Sequence, residues 1–210
     1  MEITHLGHSS FKIRGKQASV VTDPFSPQTT GLKFPKVEAD IVTISHSHDD
    51  HNQAELVGGS PQIFSGPGEY EAKGVKILGV ATFHDSSAGS ERGQNTVYQI
   101  KMDGLTLIHL GDLGHKLETE EVEALNGVDI LLVPVGGVYT LDGKGAAQVV
   151  GQLEPRVVIP MHYKVPNLAF ELEPVDKFLK EMGKEQVVPQ PKLTISKDKL
   201  PEELEIVVLE

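Results

Sequence analysis

Short apolar runs rich in β-branched residues recur along this chain of 210 residues, separated by Gly, Pro, Asn and Asp. Runs of this length read as strands rather than helices. Ile3 to Ile13 and Ser19 to Thr22 begin a sheet, and Ala39 to Ser45 reads as a buried strand. Gln62-Ile63-Phe64 is a short strand closed by Gly66-Pro67-Gly68, and Val75 to Phe83 is another. Thr96 to Met102, Asp103-Gly104 and Leu105 to Ile108 form a hairpin, because Gly tolerates the positive φ of a tight turn. Asp129 to Val135 is continuously apolar, as a central strand covered on both faces would be. Leu204 to Leu209 makes a final strand.

Helical patterns fall between these runs. Asn52 to Val57 reads as a short helix, and Thr119 to Leu125 as another, ended by Asn126-Gly127. Ala146 to Leu153 is a helix that starts near Asp142. Pro174 to Met182 is amphipathic, with Val175, Phe178, Leu179 and Met182 on one face and Gly183 after them. A two-sheet α/β sandwich with helices outside fits this order.

Composition narrows the class. One domain spanning residues 1–210 is expected, since the length suffices for a sizeable core and no linker, low-complexity tract or short repeat interrupts it. Cysteine is absent, which removes disulfides, thiolate ligands and cysteine nucleophiles together. No basic-then-apolar leader opens the chain and no apolar run is long enough to span a bilayer, so a cytoplasmic protein without membrane association is expected. The formal net charge is −11. Such a surface repels nucleic-acid phosphates, and no basic stripe offsets it, so a small-molecule substrate is favoured over nucleic acid. Oligomeric state is left open.

The chemistry concentrates in His46-Ser47-His48-Asp49-Asp50-His51. Three imidazoles and a carboxylate occupy a turn after a buried strand, where one rigid element can aim several side chains into one cavity. Neutral imidazole nitrogens and an ionised Asp suit a borderline divalent cation such as zinc. A solvated His-rich loop or an adventitious metal site is the competing reading, and the acid between the second and third His argues against it.

Further residues follow hydrophobic runs in the same way: Asp23, His84, Asp112 and His162. With His46, His48, Asp50 and His51 they make an ordered set that resembles the metallo-β-lactamase superfamily. The N-terminal Thr4-His5-Leu6-Gly7-His8-Ser9-Ser10-Phe11 resembles its small prokaryotic branch of metal-dependent, ascorbate-phosphate lactonase-like hydrolases, as do Gly111 to His115 and Gly136 to Thr140. The resemblance implies a four-layer αββα sandwich of two mixed β-sheets with outer helices. It assigns His46, His48 and His84 to one metal, Asp50, His51 and His162 to a second, Asp112 between them, and Asp23 behind the ligands. Two zinc ions are implied, with manganese or iron(II) as alternatives. The implied activity is hydrolysis of a small anionic ester, lactone or phosphodiester by a hydroxide on the dinuclear centre, with Asp50 orienting that hydroxide.

His8 is a candidate substrate or anion contact, and His115, just past Asp112, a candidate catalytic group. His5 and His109, inside apolar runs, read as structural histidines whose nitrogens are satisfied. Tyr139 and Lys164 are rim residues that could meet an anion. Two other readings stay open: a mononuclear iron dioxygenase, and a non-catalytic metal-binding or regulatory protein on the same fold.

Overall fold

The computed structural model describes residues 1–210. In chain order the elements are β1 (Glu2–Gly7), β2 (Ser10–Arg14), β3 (Ser19–Thr22), α1 (Pro27–Thr30), β4 (Val37–Glu38), β5 (Ile41–Ile44), β6 (Val57–Gly58), β7 (Gln62–Ser65) and β8 (Gly68–Ala72). The second half holds β9 (Val75–Phe83), β10 (Gln94–Met102), β11 (Leu105–His109), α2 (Thr119–Ala124), β12 (Ile130–Pro134), α3 (Gly143–Leu153), β13 (Val157–Met161), α4 (Val175–Glu181), β14 (Leu193–Thr194) and β15 (Glu205–Ile206).

Two mixed sheets result. One has six strands in the order β14-β1-β2-β3-β5-β7, and the other seven in the order β15-β13-β12-β11-β10-β9-β8. In the first, β1, β2 and β3 pair antiparallel, and β3, β5 and β7 run parallel. In the second, β11, β12 and β13 are parallel and the β8–β9–β10–β11 meander is antiparallel. The parallel strands end on the same side, so the loops that follow β5, β11 and β13 are available to one site.

The sheets share one interior core. Ile3, Phe11, Val20 and Ile41 of the first meet Ile77, Tyr98, Ile100, Leu107, Ile130 and Leu132 of the second. Each such fully buried side chain is worth roughly 1.5–3 kcal/mol relative to exposure. The Tyr98 hydroxyl crosses between the layers and donates to the Ile44 carbonyl at 3.0 Å, so this large ring is buried without an orphaned polar atom. Outside the second sheet, Ala146 and Val149 of α3 and Phe178 of α4 pack on Val97, Ile108, Leu131 and Val133. The Asp142 side chain caps α3 by accepting from the Gly145 amide at 2.7 Å.

The outer cover is unequal. Val21, Val42 and Ile44 of the first sheet lie under Val37, Ala39, Ala54 and Val57, which belong to the parallel β4–β6 ribbon and its flanks. The expected helix at Asn52–Val57 is therefore corrected to one 3-10 turn, Ala54–Leu56, followed by β6. Val57 is drawn into the ribbon, and Gly58-Gly59 cannot extend a helix cheaply. The strand at Gln62 does close at Gly66-Pro67 as expected, but Gly68 starts a strand, β8, that the sequence did not indicate. This edge strand, Gly-Glu-Tyr-Glu-Ala, exposes both acids and so lacks an apolar signature. No helix is long and apolar enough to cross a membrane.

Candidate metal centre

The turn after β5 brings the metal-type donors together. His46 and His48 have ring centroids 4.6 Å apart, and His84, which follows β9, lies 4.8 Å from His46 and 5.2 Å from His48. Donor atoms of His46, His48 and His84 form one group within 4.8 Å of one another, and those of His8, Asp50, His51 and His162 form another. Asp112, in the loop after β11, lies between them. Its Oδ2 is 3.2 Å from Nε2 of each of His51, His84 and His162.

The surroundings fix which nitrogens point inward. Asp23 accepts the Ser45 amide at 2.8 Å and the Ser45 hydroxyl at 2.5 Å. The His51 Nδ1–H donates to the same carboxylate at 2.9 Å, leaving Nε2 free. Because the Ser45 hydroxyl is committed to Asp23, the His46 Nδ1–H donates to the Ser45 oxygen at 2.9 Å, which frees His46 Nε2 as well. His46 Nε2 and Asp112 Oδ1 are buried without a partner, and His51 Nε2 faces only Asp112 Oδ2, 3.2 Å away. Orphaned buried acceptors normally cost about 1–3 kcal/mol each, so their convergence here marks a place for a cation. An all-nitrogen-and-oxygen donor set without thiolate fits zinc, manganese or iron(II).

The protonation pattern agrees. Burial pushes His46 down to about 3, helped by the positive charge at His51. Burial also lowers His51, but Asp112 and Asp23 more than offset it and hold it well above the usual histidine range. Asp112 is held far below the ordinary carboxylate range: burial opposes its ionisation, and His162 and His51 outweigh that. Protonated His51 beside ionised Asp112 and Asp23, among otherwise neutral rings, is the charge that a bound cation would replace.

His8 enters the second group. Its Nε2 is 3.2 Å from Asp50 Oδ2, and its ring centroid is 4.3 Å from that of His162. Burial, then neighbouring His162, lowers it to about 4, so it is neutral near pH 7. His8, Asp23 and His162 all have positive φ, at 54°, 39° and 53°. Backbone held there by non-glycine residues clusters at functional sites.

His115 is not brought in. Its Nε2 accepts the Phe83 amide at 3.1 Å and its Nδ1–H donates to the Lys116 carbonyl at 2.7 Å, and it is absent from the cavity lining. Lys164 pairs with Glu171 at 2.6 Å and is absent from the cavity lining. His109 is structural: Nε2–H donates to the Ser9 carbonyl and Nδ1 accepts the Gly111 amide. His5 bonds the His8 carbonyl at 3.1 Å and stacks on Phe11.

The donors floor a cavity of about 320 Å³ lined by Thr29, His48, Asp50, His84, Arg92, Asp112, Tyr139, His162 and Phe170. Thr29, Arg92 and Phe170 carried no sequence signal, being single residues in loops or one short helix. Asn95 was also missed. It accepts the Asp112 amide at 3.0 Å and donates to the Thr82 hydroxyl and the Leu110 carbonyl, which fixes the Asp112 loop. Gly111, at φ 58°, makes room for this, since a Cβ there would overlap Asn95 Oδ1 and Ser45.

The fold and donor set together define a class. The profile of the family described as "Beta-lactamase superfamily domain" matches residues 2–162, and the chain belongs to this superfamily. Its relatives are more particular. The chain is 32% identical over 207 residues to a UPF0173 metal-dependent hydrolase of Thermococcus onnurineus, covering 85% of this chain and 92% of that one. A counterpart from Pyrococcus abyssi is 29% identical over 88% of this chain and 94% of its own. Among solved structures, a candidate zinc-dependent hydrolase of the metallo-β-lactamase superfamily from Thermotoga maritima superposes with a TM-score of 0.82 at 39% identity, covering 100% of this chain and 98% of that one. The protein is accordingly a metal-dependent hydrolase.

Proposed function

We propose that the centre holds two zinc ions and that the protein hydrolyses a small anionic ester, lactone or phosphodiester. The observation that supports this most is the Asp112 carboxylate oxygen, 3.2 Å from three imidazole nitrogens contributed by different loops. A single carboxylate so placed could serve two cations. His46, His48 and His84 would hold one ion, and Asp50, His51 and His162 the other. Zinc as the metal draws support from the Thermotoga maritima relative.

When bound, such ions lower the pKa of a water from about 15.7 towards 7 and polarise the scissile bond. The protein's own groups do the rest. Asp23 and Ser45 hold the His51 and His46 tautomers. His8, neutral and buried, orients Asp50, and Asp50 aims the attacking water. Water adds to the acyl carbon or phosphorus, the bond to the leaving oxygen breaks, and the leaving alcohol takes the proton. No Ser, Cys or Lys nucleophile is needed.

Elemental analysis of untagged, metal-replete protein should approach two metals per chain, and Asp112→Ala should abolish hydrolysis and weaken both sites. His5→Gln should retain metal. Single turnover in oxygen-18 water should label the product directly. A trapped acyl- or phosphoryl-enzyme, or equal metal loss in both variants with folding intact by circular dichroism, would overturn the proposal.

A further inference from the structure

Arg92 is the one permanent cation among the residues lining the cavity. Its backbone is held by Asp85, the residue after His84. The Asp85 carboxylate accepts four amides, from Ser87 at 2.8 Å, Gly89 at 2.9 Å, Glu91 at 3.1 Å and Arg92 at 2.8 Å. One buried acid thus folds the whole segment between His84 and Arg92 around itself.

The guanidinium reaches across the cavity mouth to the loop after β12. It donates to the Val138 carbonyl at 3.3 Å and lies 5.6 Å over the Tyr139 ring. Val138 has φ 58°, which a β-branched residue rarely adopts, and this turns its carbonyl to the arginine. Glu91, the nearest carboxylate, is 3.8 Å away. An arginine has five N–H donors in a planar fork, and most of this fork is unmatched.

An apolar wall joins this cation to the donor cluster. Tyr139 meets Phe170 edge-on at 6.0 Å, and Phe170 in turn packs 5.6 Å from His8 and 6.5 Å from His162. The cavity therefore has a cationic end, an apolar flank and a donor-lined floor.

We propose that Arg92 recognises a substrate carboxylate. The substrate then carries a carboxylate at the Arg92 end, an apolar spacer along Tyr139 and Phe170, and its scissile group over Asp112. A carboxylate is favoured over a phosphate because one guanidinium matches one negative charge in fork geometry, and Glu91 beside it penalises a dianion. This rests on the hydrolase reading and adds the feature that selects the substrate.

Two 4-nitrophenyl esters isolate the question: mono-4-nitrophenyl glutarate, which keeps a free carboxylate, and neutral 4-nitrophenyl pentanoate. The zinc-loaded protein should prefer the glutarate ester by about 10- to 100-fold in kcat/KM, mainly through KM, as a charge-assisted fork contact predicts. Arg92→Gln should collapse that preference to about unity, and Arg92→Lys, which keeps charge without the fork, should recover part of it. A preference that survives in Arg92→Gln overturns the proposal. Calorimetric titration with monomethyl glutarate gives an independent readout, with binding about tenfold or more weaker in Arg92→Gln. Arg92-dependent glutarate binding without hydrolysis of either ester would remove the esterase reading and leave the carboxylate subsite standing. Hydrolysis of both esters with Arg92-independent binding would do the reverse. Arg92-dependent displacement of the probe by inorganic phosphate in preference to acetate would overturn the carboxylate assignment.

Discussion

Asp23 touches no cavity surface, yet it sets the chemistry of residues that do. Fully buried at φ 39°, it spends both oxygens on Ser45 and His51. A carboxylate behind a ligating imidazole fixes its tautomer and raises its basicity, and losing one typically costs about 10–100-fold in metal affinity. Asp23→Ala should therefore keep the fold but release metal to a competing chelator at about that ratio; unchanged metal retention would show that His51 needs no such support. The acid was legible in the sequence because it ends an apolar strand ahead of the His cluster, in the place that the resemblance to the metallo-β-lactamase superfamily assigns to an acid behind the ligands. His8 was legible as a candidate from its turn, but its contact with Asp50 joins residues 42 positions apart, which no local pattern reports. Arg92 was illegible for a stronger reason: its place depends on four amide bonds to Asp85, in a stretch of small polar residues that reads only as loop.

At the scale of elements, strands with full burial or alternation were readable, as Val75–Phe83 and Ile130–Pro134 show. Those missed or mistyped, β4, β6, β8 and β14, have between two and five residues each and owe their form to neighbours rather than to propensity. Asp40 illustrates how elements are tied. It follows β4 and precedes β5, accepts the Ser19 amide and hydroxyl at 2.8 and 2.9 Å, and pairs with Lys73 in the turn after β8 at 2.6 Å. The Lys73 contact, then the Ser19 bonds, hold its carboxyl down to about 2. A depressed carboxylate stabilises the fold above its unfolded pKa, about 3.9, and that contribution is lost as pH falls through about 2. Urea unfolding should accordingly show Asp40→Asn less stable than wild type at pH 6, with the gap closing towards pH 2. A gap that persisted in acid would mean the amide disrupts packing rather than charge.

Over the whole molecule, the donors divide between the layers. His8, His46, His48, Asp50 and His51 come from loops of the first sheet, and His84, Asp112 and His162 from loops of the second. Gly111 lets the layers' ends close together here, since a Cβ on this loop of the second sheet would overlap Ser45 of the first. This division has a consequence in time. Neither sheet alone presents a complete set, so tight metal capture follows docking of the two layers instead of guiding it. Interactions absent from the folding transition state act on the unfolding rate. Saturating zinc should slow unfolding in proportion to its stabilisation and leave the refolding rate nearly unchanged, which stopped-flow measurements with and without chelator will read. Zinc that sped refolding instead would place the ion in the nucleus. With the expected outcome the ion is a late-fitted latch: a nascent chain folds without waiting for scarce metal, and once loaded it resists opening at the seam where its chemistry is done.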